Sequence, residues 1–315
     1  MINRAACVGL IWLVGCGGKG TSGSSAYVDG PATDIEDLEG ASCTEDTAPE
    51  AVTQRVASVS VDGVTRRFRV TIPSVEPGTT MPVILAFHGG GGSGFPFEQQ
   101  DQFDALGAQE DFIMIYPQGQ VFGDNEGEWQ LNTGPDSGQD IAFVEAILDG
   151  LDERYCIDTS RIYGVGYSLG GMFVYELACH LNTRFAGIVS LAGTMPVSPN
   201  TCADDPPVGL LHVHGREDSI IPYASQWDWK AWDEVGMMQD IPSLIEYWSE
   251  HYSCEASEVT EPASDLSRTV HSDCDGDVRV EHIRRNDGDH EWPSSIDGVS
   301  TPTMFWQFLS QFSRS

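Results

Sequence analysis

The run Arg161-Ile-Tyr-Gly-Val-Gly-Tyr-Ser-Leu-Gly-Gly-Met172 constrains this chain more than any other segment. A short β-type stretch ends there in Gly166-Tyr-Ser168-Leu-Gly170, and a helical pattern begins at once behind it. Strand, tight turn and helix in that order have the form of a nucleophile elbow. One serine sits on a strained turn, and small residues at Gly166 and Gly170 let strand and helix approach closely. A G-x-S-x-G string alone is a weak motif, and its bland reading is a plain turn serine. The strand before it and the helix after it give it weight.

A serine hydroxyl is a poor nucleophile until a base takes its proton, so Ser168 demands a histidine and an orienting acid. Downstream, Val208-Gly-Leu-Leu-His-Val-His-Gly215 reads as a buried strand, followed by Arg216-Glu-Asp218-Ser-Ile-Ile-Pro222. Asp218 therefore falls in a loop just past a strand end, where a carboxylate can turn toward a histidine. Val278 to Ile283 alternates like the next strand, and beyond it lies Asn286-Asp-Gly-Asp-His290-Glu-Trp-Pro293. His290 is the candidate base and Asp218 the candidate acid. Upstream, the apolar strand Pro82 to Phe87 runs into His88-Gly-Gly-Gly-Gly-Ser93. Acyl transfer builds negative charge on a carbonyl oxygen, and backbone N–H groups are its usual donors. One donor is assigned to this loop at Gly90 and the other to Leu169, directly after the nucleophile. The competing reading of a glycine loop is a phosphate cradle. Neither G-x-x-x-x-G-K-[ST] nor a helix-opening G-x-G-x-x-G with its later acid is present, which argues against nucleotide binding.

The set HGGGGS, GYSLGGM, HGREDSIIPY and GDHEWP resembles the secreted polyhydroxybutyrate depolymerase and feruloyl or acetylxylan esterase group, α/β-hydrolases of the carbohydrate-esterase type. The resemblance covers roughly Val56 to the C-terminus. It implies an α/β-hydrolase fold, with Ser168 as nucleophile, Asp218 as acid and His290 as base. One departure concerns the surroundings of the base: the family's glycine-rich ending is replaced by Asp289 and Glu291 on either side of His290. Two adjacent carboxylates are expected to raise the pKa of an imidazole.

The remaining histidines read as structural. His88 fixes the glycine loop, His212 and His214 are core or strand-end residues, and His271 and His282 lie in a hairpin-like region without metal spacing. Asp273-Cys-Asp275-Gly-Asp277 faintly resembles a calcium loop, but it lacks the late glutamate and contains a cysteine, so a turn is expected. No metal or organic cofactor is expected. Trp227, Trp229 and Trp232 follow the acid loop and either stack on substrate or bury themselves as a small helical insertion. Trp129 and Trp292 are further candidates for the pocket wall.

After the first fifty residues about 265 remain, an ordinary size for one α/β domain. Alternating strands and helices predict a mostly parallel central sheet with helices on both faces, forming a single catalytic domain over residues 53–315. Gln139 to Leu151 has helical apolar spacing, and Ser243-Leu-Ile-Glu246 reads as a capping box for a helix that buries Leu244, Trp248 and Tyr252.

The first sixteen residues carry a short positive start, an apolar run and Leu13-Val-Gly-Cys16, which matches a bacterial lipobox. This resembles a lipoprotein signal with Cys16 lipidated; an ordinary secretory signal is the alternative. From 17 to 52 the chain is poor in hydrophobics, with eight acids against one lysine, and reads as a disordered stalk. Setting aside Cys7 and Cys16, six cysteines remain, and their connectivity is not fixed by sequence. Proximity favours Cys254–Cys274 and Cys179–Cys202, leaving Cys43 for Cys156, as suits an oxidising compartment. The net charge of −32 argues against nucleic acid and other polyanions as partners.

The expectation is thus an exported, lipid-anchored, monomeric serine esterase that meets the membrane only through its anchor. Its substrate is expected to be polymer-derived: hydroxycinnamoyl or acetyl esters of plant polysaccharide. Alternatives are a polyhydroxyalkanoate depolymerase, a serine peptidase, and a catalytically silent glycan-binding lipoprotein.

Overall fold

The computed structural model describes residues 31–38, 48, 50–92, 94–122, 125–133, 138–199, 202–203, 205–228 and 235–314. Cys16, Cys43, Trp229 and Trp232, with the signal segment, lie outside them.

Eleven strands form one sheet. In chain order they are β1 (Thr33–Asp34), β2 (Val52–Val61), β3 (Val64–Ile72), β4 (Met81–Phe87), β5 (Ile113–Pro117), β6 (Ile157–Tyr167), β7 (Gly187–Leu191), β8 (Gly209–Gly215), β9 (Ala256–Ala263), β10 (Leu266–Ser272) and β11 (Val280–Arg285). Their order in space is β1-β2-β3-β5-β4-β6-β7-β8-β11-β10-β9. The middle six, from β5 to β11, are mutually parallel. Antiparallel hairpins, β2–β3 and β9–β10, close the two sides. The first hairpin turns on Asp62-Gly63, both at positive φ, the dipeptide that a tight two-residue hairpin needs. Central strands are buried on both faces, which is why β4 reads Met-Pro-Val-Ile-Leu-Ala-Phe without polar alternation.

Helices cover both faces. They are α1 (Gly94–Asp101), α2 (Phe103–Glu110), α3 (Gln139–Asp152), α4 (Leu169–His180), α5 (Ile241–His251) and α6 (Thr301–Leu309). Tyr163 of β6 donates its hydroxyl to Phe312 O and meets Trp306 of α6. The next residue, Gly164, faces Val174 and Leu177 of α4 on the opposite side. The alternation of a strand thus separates α6 from α4. The residues of α4 from Leu169 to Cys179 are all buried, so this helix is enclosed around its whole circumference; its one carboxylate, Glu176, accepts from Asn132 N and Thr133 N. α5 packs beside it, with Trp248 stacked 5.6 Å from Tyr175.

Three expectations are corrected. The segment 17–52 is not stalk throughout: Thr33–Asp34 pairs with β2, and Ile35 and Leu38 are buried. Ile35 presses on Gly150 of α3, so two apolar side chains anchor an otherwise acidic segment that its average composition disguises. The N-cap of α5 is Asp240, whose carboxylate accepts from Ser243 N at 3.0 Å; Pro242 follows in the first turn. Ser243 lies inside the helix and donates its hydroxyl to the same carboxylate. Leu244, Trp248 and Tyr252 are buried, as the apolar spacing predicts. Trp227 lies on a two-stranded antiparallel ribbon with Met238, not on a helix.

Disulfides join Cys179 to Cys202 and Cys254 to Cys274, the pairs that proximity favours. Cys156 is also disulfide-bonded. Among the described residues, no helix is long and apolar enough to cross a membrane.

Candidate active site

Parallel strands end at one edge of a sheet, and the loops from those ends meet there. β4 leads into the glycine loop, β6 into Ser168, β8 toward Asp218 and β11 toward His290. Residues separated by more than a hundred positions meet because the topology aligns their strands.

The elbow is tight. Ser168 adopts φ 55° and ψ −118°, a strained conformation for a residue with a side chain. A Cβ on Gly166 would lie 2.0 Å from Gly170 O, and one on Gly170 would lie 2.1 Å from Phe87 O. Both positions exclude any side chain. Ser168 Oγ lies 2.8 Å from His290 Nε2, and His290 Nδ1 lies 2.8 Å from Asp218 Oδ2. Asp218 Oδ1 accepts backbone N–H bonds from Ile220 (2.9 Å) and Ile221 (2.7 Å). Burial pushes this carboxyl upward, but hydrogen bonds from His214 and His290 outweigh it and hold Asp218 well below the usual carboxylate range. The carboxylate is thus ionised and oriented. Among the described residues, no group of three or more His, Cys, Asp or Glu side chains is placed to hold a metal ion.

The glycine loop lies against the elbow. A Cβ on Gly89 would be 3.3 Å from Ser168 Cβ, and one on Gly90 would be 3.4 Å from Leu169 Cδ2. The two backbone segments expected to offer amides to an oxyanion therefore adjoin. Gly119 N–H donates to His88 Nε2 at 3.0 Å, leaving Nδ1 to donate to Gly89 O at 2.8 Å. Burial lowers the His88 pKa to about 4, so the ring works as a neutral strut for the loop. Asp273-Cys-Asp275-Gly-Asp277 forms a turn whose short 3-10 segment spans Asp275–Asp277.

Trp129 is corrected. It is fully buried, donates Nε1–H to His88 O at 2.9 Å, and stacks on Phe173 at 5.1 Å. No face of it is open to a substrate; it props the glycine loop from behind. Trp292 remains half-buried beside the base, edge-on to Phe97 (5.3 Å) and Tyr167 (6.1 Å). Trp227 is half-buried on its ribbon.

The acids flanking His290 face elsewhere. Asp289 Oδ1 accepts from Ser219 N, Ser219 Oγ and His290 N, each at 2.8 Å, and the Ser219 amide leads the bonds that lower its pKa. It clamps the acid loop to the base loop. Glu291 pairs with Arg285 at 2.7 Å. Sequence reasoning treated both as a field on the imidazole because chain adjacency says nothing about side-chain direction. Tyr167 was missed although it lies inside the elbow motif. Its hydroxyl donates to His290 O at 3.1 Å, and its ring centroid lies 5.3 Å from that of His290.

Residues 139–231 match the family described as phospholipase/carboxylesterase. Feruloyl esterase C of Emericella nidulans is 24% identical over 251 residues, spanning 78% of this chain and 83% of that protein. A bifunctional acetylxylan esterase/xylanase of Neocallimastix patriciarum is 24% identical over 257 residues, which cover 79% of this chain but 34% of that protein. Among solved structures, an acetyl xylan esterase from Aspergillus awamori superposes with a TM-score of 0.58 at 14% identity, covering 81% of this chain and 98% of the other. At that identity the likeness speaks for the fold, which is that of the α/β-hydrolases.

Proposed function

We propose that this chain is an exported serine carboxylic-ester hydrolase that works through an acyl-enzyme on hydroxycinnamoyl or acetyl esters of plant polysaccharide. The observation that carries the reading is the Ser168–His290–Asp218 relay, two 2.8 Å contacts beside a glycine loop at the sheet edge. Ser168 Oγ attacks the ester carbonyl while His290 Nε2 takes its proton. Negative charge on the carbonyl oxygen is met by the amides of Leu169 and Gly90. His290 then protonates the leaving alcohol, and a water activated by the same ring frees the acid. Asp218 holds the ring and offsets its transient positive charge.

For the acyl group, Trp292, Tyr167 and Phe97 form an aromatic cluster next to His290, a surface suited to the ring of a hydroxycinnamoyl ester. Residues 1–16 form the signal with Cys16 lipidated, the acidic segment to residue 52 is the tether apart from the anchored stretch at 33–38, and 53–315 is the catalytic domain. The disulfides fit such an address. Cys16→Ala should release the protein from the membrane fraction of an expressing bacterium; retention there would remove the anchor from the reading.

Incubation with methyl ferulate, acetylated xylan and hydroxybutyrate oligomers together, beside Ser168→Ala, tests the substrate. Ferulate or acetate release that is absent from the variant supports the reading. Release of hydroxybutyrate alone would make the enzyme a polyester depolymerase.

A further inference from the structure

Behind the acid lies a line of buried side chains that the reaction scheme above does not use. Tyr175 Oη is 2.7 Å from His212 Nδ1, His212 Nε2 is 3.2 Å from His214 Nδ1, and His214 Nε2 is 3.2 Å from Asp218 Oδ2. All three side chains are essentially without solvent exposure. His214 Nε2 is also 3.0 Å from Ile221 O. Both neighbours of that nitrogen are acceptors, so it carries the hydrogen. With one hydrogen on each ring, the line runs in a single sense: Tyr175 O–H to His212, His212 Nε2–H to His214, His214 Nε2–H to Asp218. His282 fixes the same strand pair, with its Nδ1 3.2 Å from His212 O and its Nε2 3.0 Å from the Tyr223 hydroxyl.

We infer that Tyr175, His212 and His214 are positioning residues, a directed hydrogen-bond relay that saturates and orients the Asp218 carboxylate from the protein interior. A carboxylate offers roughly four acceptor sites. The Ile220 and Ile221 amides take two on Oδ1, His290 takes one on Oδ2, and His214 faces the other with a hydrogen it shares with Ile221 O. The His214 donor is the one drawn from the core, and it shares an oxygen with the base. The dipoles of the line all point their positive ends at the negative charge, where low polarisability of the surroundings strengthens each contact. Removing His214 leaves a fully buried carboxylate oxygen short of one donor, free to rotate off His290. The two histidines are therefore more than the core residues their strand pattern suggests. The inference rests on the triad reading of Ser168, Asp218 and His290.

The test replaces His214 with Leu and with Gln, and Tyr175 with Phe, in the full chain. Turnover is read on p-nitrophenyl acetate, and the far-downfield proton resonance of the His290–Asp218 hydrogen bond by NMR. His214→Leu is expected to lose about ten- to a hundredfold in kcat with KM little changed. His214→Gln, which keeps an N–H donor, recovers most of it. The resonance shifts or broadens in the Leu variant and persists in the Gln variant. Tyr175→Phe, the same shape without its oxygen, shows a smaller change in the same sense and keeps the test sharp should His214→Leu fold poorly. Folded variants with wild-type kcat, pH profile and resonance would overturn the relay. Turnover that survives Ser168→Ala would instead overturn the triad reading; the resonance reports on the relay whatever the turnover.

Discussion

A carboxylate held by the Ile220 and Ile221 amides, by His290 and by a shared His214 N–H cannot become an amide without reversing part of its contacts. Asp218→Asn is therefore expected to fold but to hold His290 in the wrong tautomer. The analogous change in serine proteases costs about 10⁴-fold in kcat. Steady-state kinetics with an unchanged melting temperature would check this. Asp289 tests a different role, because its one oxygen ties Ser219 and the His290 amide together while the side chain itself is exposed. Asp289→Ala should lower kcat by about ten- to a hundredfold through misplacement of the base, with KM nearly unchanged. A fall in KM-dependent binding alone would show that the clamp is not what the carboxylate does.

The elements explain why so much of this site was readable in the chain. The elbow, the acid loop and the base loop each follow an apolar strand, and parallel strands deliver their C-terminal loops to one edge. Hydrophobic runs therefore located the site before any contact was known. Side-chain direction was not readable in the same way. Trp129 and Trp292 look alike in the sequence, yet one is sealed behind His88 and the other lies half-exposed beside His290. Asp240 rather than Ser243 caps α5 because Asp240 is itself still extended, at φ −69° and ψ 156°, and Pro242 already lies in the first helical turn. Asp240→Ala should cost about 1 kcal/mol, or roughly 2–4 °C in melting temperature. Ser243→Ala, which leaves its backbone amide in place, should cost less. Gly170→Ala belongs to a harsher class: its Cβ would meet backbone at Phe87 O, so α4 must move off the sheet. Loss of soluble protein or a melting temperature lowered by well over that margin is expected.

At the scale of the whole molecule, buried titratable groups set how stability follows pH. His88 and His282 are pushed down to about 4 and about 3 by burial, and His212 is lowered in the same way. Unfolding exposes them to a pKa near 6.5, so below that value the unfolded chain binds more protons and stability falls as pH drops. Each such histidine contributes about 1.4 kcal/mol per pH unit within its window. Glu98 acts oppositely: burial first, then the neighbouring Asp104, raises its pKa to about 8. The buried Asp101 is raised too. Their folded forms hold protons that the unfolded chain has lost, so stability declines as pH rises toward 8. The two groups offset each other between roughly pH 4.5 and 6.5, and the carboxyls act alone above it. Melting temperature should therefore be highest at mildly acidic pH, and Glu98→Gln should make the decline between pH 6.5 and 8 shallower. An unchanged slope in that variant would remove Glu98 from the account.

The most direct test of the central claim is the mass of the protein after reaction with a fluorophosphonate ester, followed by peptide mapping. One adduct is predicted, on the peptide containing Ser168, absent from Ser168→Ala and strongly slowed in His290→Ala. An adduct on another residue, or folded protein that takes up none, would contradict the account.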